Sequence, residues 1–141
     1  MRTKETLESI VIWFKISKIY NENIKETNRL LKEYGLSSAQ FDVLAQIGVG
    51  KEITQSDLSE KLLATKGNIS QLIVSMENKD YVRRRQEWKN KYVSLTSKGT
   101  DMYNELVPLV EAFQTETFGI LDEEERQVLL TLLRKVERKI K

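Results

Sequence analysis

Cysteine and histidine are both absent from this sequence of 141 residues. Without cysteine the chain can form no disulfide, no thiolate metal site and no thiol redox sensor. Without histidine it also lacks the commonest general base and the commonest metal ligand. We find no glycine-rich phosphate-binding loop and no spaced set of metal ligands. We therefore expect a protein that is not an enzyme and that holds no metal or cofactor.

Proline occurs once and glycine six times, so few residues interrupt the helical periodicity. No apolar run approaches the roughly 20 residues of a membrane span, and the first residues enter a helical pattern without the features of a signal peptide. Hydrophobic residues make up 40% of the chain and charged residues 31%, which is typical of a globular protein with a hydrophobic core. We expect a mainly helical, cytoplasmic protein that has no membrane partner.

Positive charge is concentrated in the middle of the chain. Residues 61–98 contain nine Lys or Arg residues and three acidic residues, a net charge of +6, whereas the whole chain carries +2. The remaining residues therefore carry −4. A basic centre between acidic flanks is typical of a nucleic-acid-binding protein. A plain solvated surface is also rich in Lys and Arg, so charge alone leaves that alternative open.

Residues 54–96 predict a winged helix-turn-helix. Two helical patterns and then two strand patterns follow one another along this stretch, at residues 54–62, 64–73, 81–85 and 92–96. The polar residues 86–91 between the strand patterns predict a hairpin loop. This order of elements predicts a mainly α fold with a small β-hairpin wing, in which the second helix can enter a DNA major groove.

Amphipathic helical patterns flank the winged region. Apolar residues of the first 34 residues recur at three- and four-residue spacing on more than one side, and the Leu and Val residues after Asp122 have nearly heptad spacing. Helices with such apolar surfaces pack against the core of their own chain on one side and need a second subunit on the other. We expect residues 1–35 to form an N-terminal dimerisation helix, residues 36–97 the DNA-binding domain, and residues 98–141 the C-terminal dimerisation helices.

The second helix of the motif has one apolar and one polar side. Steps of about 100° per residue place Ile69, Leu72, Ile73 and Met76 on the inward side. The opposite side is small and polar, without an acidic residue through Ser75. From this helix we predict DNA contacts by Thr65, Lys66, Gly67, Asn68, Ser70 and Gln71. The side-chain amides suit bidentate contact with adenine, and the first two residues suit phosphates at a helix N-terminus. An ordinary solvated face is the alternative.

The predicted wing supplies the second set of candidate DNA contacts. Arg83, Arg84 and Arg85 alternate between the two sides of a strand, so at least one of them should face the DNA backbone. At the tip, Lys89 and Lys91 can reach phosphates or a minor groove. Trp88 either contacts the groove or folds back onto its own domain or a neighbouring subunit.

The ordered motifs resemble those of the MarR (multiple antibiotic resistance regulator) family of bacterial transcription factors. They are LSSAQFDVL at 36–44, TQSDLSEKL at 54–62, NISQLI at 68–73, KDYVRR at 79–84 and VSLTSKG at 93–99. The resemblance implies a homodimer whose terminal helices form the interface, a palindromic operator, and release by a small aromatic or anionic effector. Two positions depart from the family pattern: Asp80 stands where the hairpin usually begins with Gly, and Trp88 lies in a tip that usually carries Asp and Arg.

The leading hypothesis is a sequence-specific regulator that binds double-stranded DNA as a homodimer and represses transcription. An effector pocket could be lined by aromatic residues between the arm and the winged domain, namely Trp13, Phe14, Tyr20, Phe41 and Phe113. Aromatic residues at helical spacing are also common in a core, which is the alternative for this set. The alternatives for the whole protein are a winged-helix module that binds another protein and a transcriptional activator without a ligand.

Overall fold

The computed structural model describes residues 1–62 and 66–140, and of Lys66 it describes the backbone only. The described part contains six α-helices and three strands. In chain order these are α1 (Lys4–Leu31), α2 (Ser38–Ile47), β1 (Glu52–Thr54), α3 (Gln55–Lys61), α4 (Lys66–Asn78), β2 (Val82–Glu87), β3 (Asn90–Leu95), α5 (Ser97–Phe118) and α6 (Glu123–Ile140). The mainly α winged helix-turn-helix predicted from the sequence is confirmed.

Side-chain caps begin the helices α2, α3 and α6. The Ser37 hydroxyl accepts the Gln40 N–H at 3.2 Å, and the Gln40 side-chain oxygen accepts the Ser37 N–H at 2.9 Å. Thr54 accepts the N–H three residues further on and caps α3. Asp122 and Glu125 form a second reciprocal pair at the start of α6. Each cap satisfies backbone donors that a helix start leaves unpaired.

The helix α1 ends in a 3₁₀ turn, Lys32–Tyr34, which is closed by Gly35. The backbone of Gly35 has a φ of 71°, in the left-handed region that glycine enters without a side-chain clash. The chain can therefore reverse within a few residues and begin α2. The Ser38 N–H then donates to the side-chain oxygen of Asn28 at 2.7 Å, which ties α2 back to α1.

Three antiparallel strands form the sheet in the order β1-β3-β2. The sequence patterns did not predict β1. The predicted loop at residues 86–91 is also wrong, because Glu87 pairs with Asn90 and the strands continue to a two-residue turn at Trp88 and Lys89. The strands near the turn are exposed on both sides, so no apolar alternation marks them, and backbone pairing with the partner strand determines their length.

The first compact unit, residues 1–106, contains the hydrophobic core of the winged domain. The helix α4 contacts α2, α3 and β2. Its side chains Ile69, Ile73 and Met76 are almost completely buried, as are Leu44 on α2 and Leu58 on α3. Burying an aliphatic side chain stabilises the fold by about 1.5–3 kcal/mol. The core therefore fixes which side of α4 faces outward.

The second compact unit, residues 107–141, comprises the end of α5 and all of α6. The helix α5 continues through Pro108. Most apolar side chains of α6 are exposed in the single chain. Among the described residues, no helix combines the length and the apolar character that crossing a membrane requires.

The side chain of Thr96 joins the start of α5 to the turn that precedes the wing. Its hydroxyl donates to the carbonyl of Asp80 at 2.6 Å and accepts the N–H of Gly99 at 3.0 Å. Its own N–H donates to the Tyr81 carbonyl at 3.0 Å. Asp80 has a φ of 64°, which explains why glycine is common at this position in the family that the sequence resembles. The wing and α5 therefore share one hydrogen-bonded junction.

Gly99 lies so close to Tyr81 that a larger residue cannot fit without movement of the backbone. A Cβ atom at Gly99 would lie 1.9 Å from the Tyr81 carbonyl oxygen. We expect Gly99→Ala to lower the free energy of unfolding by about 3 kcal/mol or more, measured by urea denaturation. Gly67→Ala is the matched control, because a Cβ atom there meets no atom of the described residues within 4 Å. It should raise stability by up to about 1 kcal/mol. Equal stability of Gly99→Ala and the natural chain would contradict this account of the junction.

Candidate nucleic-acid interface

The outward side of α4 is the centre of the candidate interface. Because Ile69, Ile73 and Met76 are buried, the opposite side of the helix is open to solvent. Gly67 and Gln71 lie there at a spacing of four residues, and both are exposed. Asn68 is exposed beside them, and Ser70 is half-buried. Of the four residues predicted to face inward, Ile69, Ile73 and Met76 are buried, whereas Leu72 is only half-buried.

Ser75, which the sequence places on the polar side, is held by the protein itself. Its hydroxyl donates to the Leu72 carbonyl at 2.7 Å and accepts from the side-chain nitrogen of Gln40 at 3.2 Å. The same Gln40 side chain caps the first turn of α2 through its oxygen. One amide therefore connects the start of α2 to the last turn of α4. We infer that Ser75 positions α4.

Val74 is an apolar residue on the outward side that sequence analysis missed. Its side chain is 41% exposed, and it lies seven residues after Gly67, which is a rotation of only about 20° around the helix. The prediction of a wholly polar outward side is therefore wrong at this position. The helical wheel contained the signal. Val74 follows the inward Ile73 by one residue and precedes the inward Met76 by two, so its side chain points away from the core.

The three arginines of β2 have different surroundings. Arg84 lies on the same face of the strand as the buried Val82, because alternate residues share a face. Its guanidinium forms an ion pair of 2.8 Å with Glu77 near the end of α4, and each side chain is only 30% exposed. Arg84 therefore ties the wing to α4.

Arg85 points to the outer face of the sheet and carries two acidic partners. Its guanidinium contacts Glu52 at 2.7 Å and Glu87 at 2.6 Å, and it lies 4.5 Å from the centre of the Tyr92 ring. The hydrogen bonds that the Arg85 guanidinium donates, first to Glu52 and then to Glu87, raise the pKa of Arg85, and the bond that Glu52 accepts lowers the pKa of its carboxyl. The positive charge of Arg85 is balanced locally.

Arg83 lies on the same outer face and is exposed. Within residues 1–62 and 66–140, no carboxylate lies within ion-pair distance of Arg83, Lys89 or Lys91. These three side chains therefore carry the uncompensated positive charge of the wing. A cation without an acidic partner is the type of group that attracts an external phosphate.

Lys89 and Lys91 also line a cleft of about 170 Å³ beside α4. The other lining residues are Thr54, Gln55, Ser56, Ile69 and Asn90. The side-chain oxygen of Gln55 is buried and has no hydrogen-bond partner among the described residues. Gln55 and Ser56 are candidate contacts that the sequence did not suggest. Their position directly after the Thr54 cap indicated that the first turn of α3 is polar and accessible.

Trp88 occupies the first position of the wing turn and is 90% exposed. It therefore does not fold back onto its own domain, which removes one of the predicted alternatives. Its φ of 58° is unfavourable for a residue with a side chain, by roughly 1–2 kcal/mol. The turn presents the indole away from the rest of the chain.

The remaining predicted site residues divide into three groups. Thr65 lies outside the described residues, and so does the side chain of Lys66. Trp13, Phe14 and Tyr20 are exposed on α1. Phe41 is buried on α2, and Phe113 belongs to the second compact unit, where it is half-buried.

Comparisons with known proteins relate the whole chain to regulators of transcription. A sequence profile described as the MarR family matches residues 34–87. An uncharacterized HTH-type transcriptional regulator of Bacillus cereus is 37% identical over 129 residues, which are 91% of this chain and 88% of the relative. The crystal structure of an S. aureus MepR-DNA complex superposes with a TM-score of 0.84 at 20% identity, over 91% of this chain and 96% of that one. A mutant MarR from E. coli complexed with operator DNA has a TM-score of 0.82 at 25% identity, over 92% and 95%.

Proposed function

This chain belongs to the MarR family of transcriptional regulators, and on that premise we propose that it represses transcription by binding a palindromic operator as a homodimer. The observation that carries the proposal is the juxtaposition of two surfaces. Within residues 1–62 and 66–140, the exposed side of α4 has no unpaired acid and lies next to a wing on which Arg83, Lys89 and Lys91 have no acidic partner. The similar E. coli MarR structure contains operator DNA.

In the proposed complex, α4 enters the major groove and the wing contacts the backbone. The side-chain nitrogen of Gln71 can donate to adenine N7 while its oxygen accepts from the adenine N6 amino group, the bidentate arrangement that distinguishes this base. Arg83, Lys89 and Lys91 contact phosphates, and Gln55 and Ser56 line the path of the same strand. Phosphate contacts set position and orientation, whereas contacts to base edges select the sequence.

The proposed homodimer is supported by apolar side chains that the single chain leaves exposed. On α1 these include Leu7, Val11, Ile12, Ile16 and Ile19. On α6 they are Val128, Leu130, Leu132, Leu133, Val136 and Ile140. Exposed apolar surfaces of this extent mark interfaces between proteins. A two-fold dimer would present its α4 helices about 34–36 Å apart, one turn of DNA, which accounts for a palindromic operator.

We further propose that a small aromatic or anionic molecule releases the operator. The support is the exposure of Trp13, Phe14 and Tyr20 on α1, where an aromatic ligand could stack against their rings. Phe41 is buried in the core and could only line the wall of such a site.

Selection of bound fragments from a random DNA pool tests the proposed function. We expect a two-fold symmetric consensus, because the homodimer presents α4 twice. Gln71→Ala should weaken binding to that consensus by about 1–3 kcal/mol and relax base preference at one position in each half-site. Gln46→Ala removes an exposed glutamine from α2 and should leave the consensus unchanged.

Two outcomes would contradict this prediction. Equal loss of affinity for the consensus and for random DNA would show that Gln71 does not read bases. Retention on DNA that disappears at moderate salt, with no enriched sequence, would instead support a winged-helix module that binds another protein. Transcription from a consensus-bearing promoter separates a repressor from an activator.

The arginines of the wing should contribute unequally to the salt dependence of binding. Arg83→Ala should reduce the slope of log affinity against log salt by about 1 and weaken binding to all sequences alike, because it removes one phosphate contact. Arg85→Ala should leave the slope almost unchanged, since Glu52 and Glu87 already neutralise that guanidinium. The measurement is fluorescence anisotropy of labelled consensus DNA at several salt concentrations. Equal slopes for the two variants would contradict this assignment.

Trp13 fluorescence can report the proposed effector site. In a Trp88→Phe variant, Trp13 is the one remaining tryptophan. We expect a phenolic acid to change its emission and to release consensus DNA over the same concentration range, because the ligand binds beside the ring. Release of DNA without a change in emission would place the site elsewhere. No response to a broad panel of aromatic and anionic compounds would overturn the effector proposal.

A further inference from the structure

An exposed valine interrupts the polar side of α4. Val74 is 41% exposed, between the buried Ile73 and the half-buried Ser75. Valine is a weaker helix former than alanine or the long polar residues because its branched side chain loses rotamer freedom. Neither helix propensity nor burial in the core therefore accounts for valine at this position. An external apolar partner would.

The neighbours of Val74 limit what that partner can be. Val74 lies three residues after Gln71, which is a rise of about 4.5 Å along the axis and a rotation of about 60° around it. Bases of one DNA strand are stacked about 3.4 Å apart. A helix that places Gln71 against one base pair therefore brings Val74 to an adjacent pair. The methyl groups are held in one orientation, because valine in a helix strongly prefers a single χ1 rotamer.

The major groove offers one apolar group to such a side chain. The edges of adenine, guanine and cytosine present hydrogen-bond donors and acceptors there, whereas thymine also presents its C5 methyl group. We propose that Val74 selects thymine by packing against this methyl group, at a base pair next to the one that Gln71 contacts. This inference rests on the proposed function, and it adds a second specificity-determining residue to the recognition helix.

Deoxyuridine tests the contact, because uracil differs from thymine by the absence of the C5 methyl group. The probe is the consensus DNA selected by the natural protein, with one symmetric pair of thymines at a time replaced by uracil. Removing a buried methyl group should weaken binding about fourfold in each half-site, and about fifteenfold when both half-sites change. We expect this penalty at one symmetric pair, adjacent to the position where Gln71→Ala relaxes the consensus.

The Val74→Ala variant completes a double-mutant cycle between this side chain and the thymine methyl group. It should bind the thymine-containing consensus more weakly than the natural protein and should no longer distinguish thymine from uracil at that pair. An effect of uracil on DNA shape would remain in the variant, so the cycle separates shape from contact. Val49→Ala is the matched control, since Val49 is also 41% exposed but lies outside α4. Val49→Ala should show the same loss of affinity on uracil substitution as the natural protein. Circular dichroism and urea denaturation confirm that each variant is folded.

Two results would overturn the inference while leaving the proposed function intact: no thymine of the consensus carries a uracil penalty, or Val74→Ala keeps the whole penalty. Failure of the proposed function would already appear in the selection from random DNA, because the natural protein would then select no consensus. That result would overturn both the proposed function and the Val74 contact.

Discussion

The burial of one edge of α4 is the constraint on which the interface depends. Ile69, Ile73 and Met76 are held in the core, and a helix cannot rotate about its axis without exposing them. The direction of every other side chain on the helix follows from that packing. Gly67 and Gln71 face outward because the three apolar residues face inward. Selectivity for a DNA sequence, as proposed for this protein, therefore begins with ordinary hydrophobic packing on the opposite side of the helix.

Polar contacts then hold the last turn of α4. Ser75 accepts a hydrogen bond from the Gln40 side chain, which also caps α2. Near its end, Glu77 forms an ion pair with Arg84 on the wing. These contacts use side chains that could otherwise be assigned to DNA from charge and polarity alone. The wing thus contains two kinds of cation: Arg84 and Arg85 pair with acidic residues of the protein, whereas Arg83, Lys89 and Lys91 have no acidic partner within residues 1–62 and 66–140.

The helices could be predicted from the sequence because their signals are local. Apolar spacing located the inward side of α4, and the capping pairs at the starts of α2 and α6 each join residues only three positions apart. Two of the missed features depend on residues distant in the chain. The strand β1 has three residues and exists through its pairing with β3, and the partners of Arg85 include a carboxylate 33 residues away. Spacing along the chain contains no information on such pairs. The structure was therefore needed to show which of the three arginines have acidic partners.

The two-residue turn of the wing limits how this surface could change in evolution. Antiparallel pairing places Arg83 and Arg85 on one face of the ribbon and Arg84 and Lys91 on the other. Inserting a single residue into β2 or β3 would exchange the two faces beyond that point and turn a charged side chain towards the core. A longer wing can therefore arise by adding matched pairs of residues to both strands. The reach of the hairpin changes in discrete steps, each about the length of two residues in an extended strand.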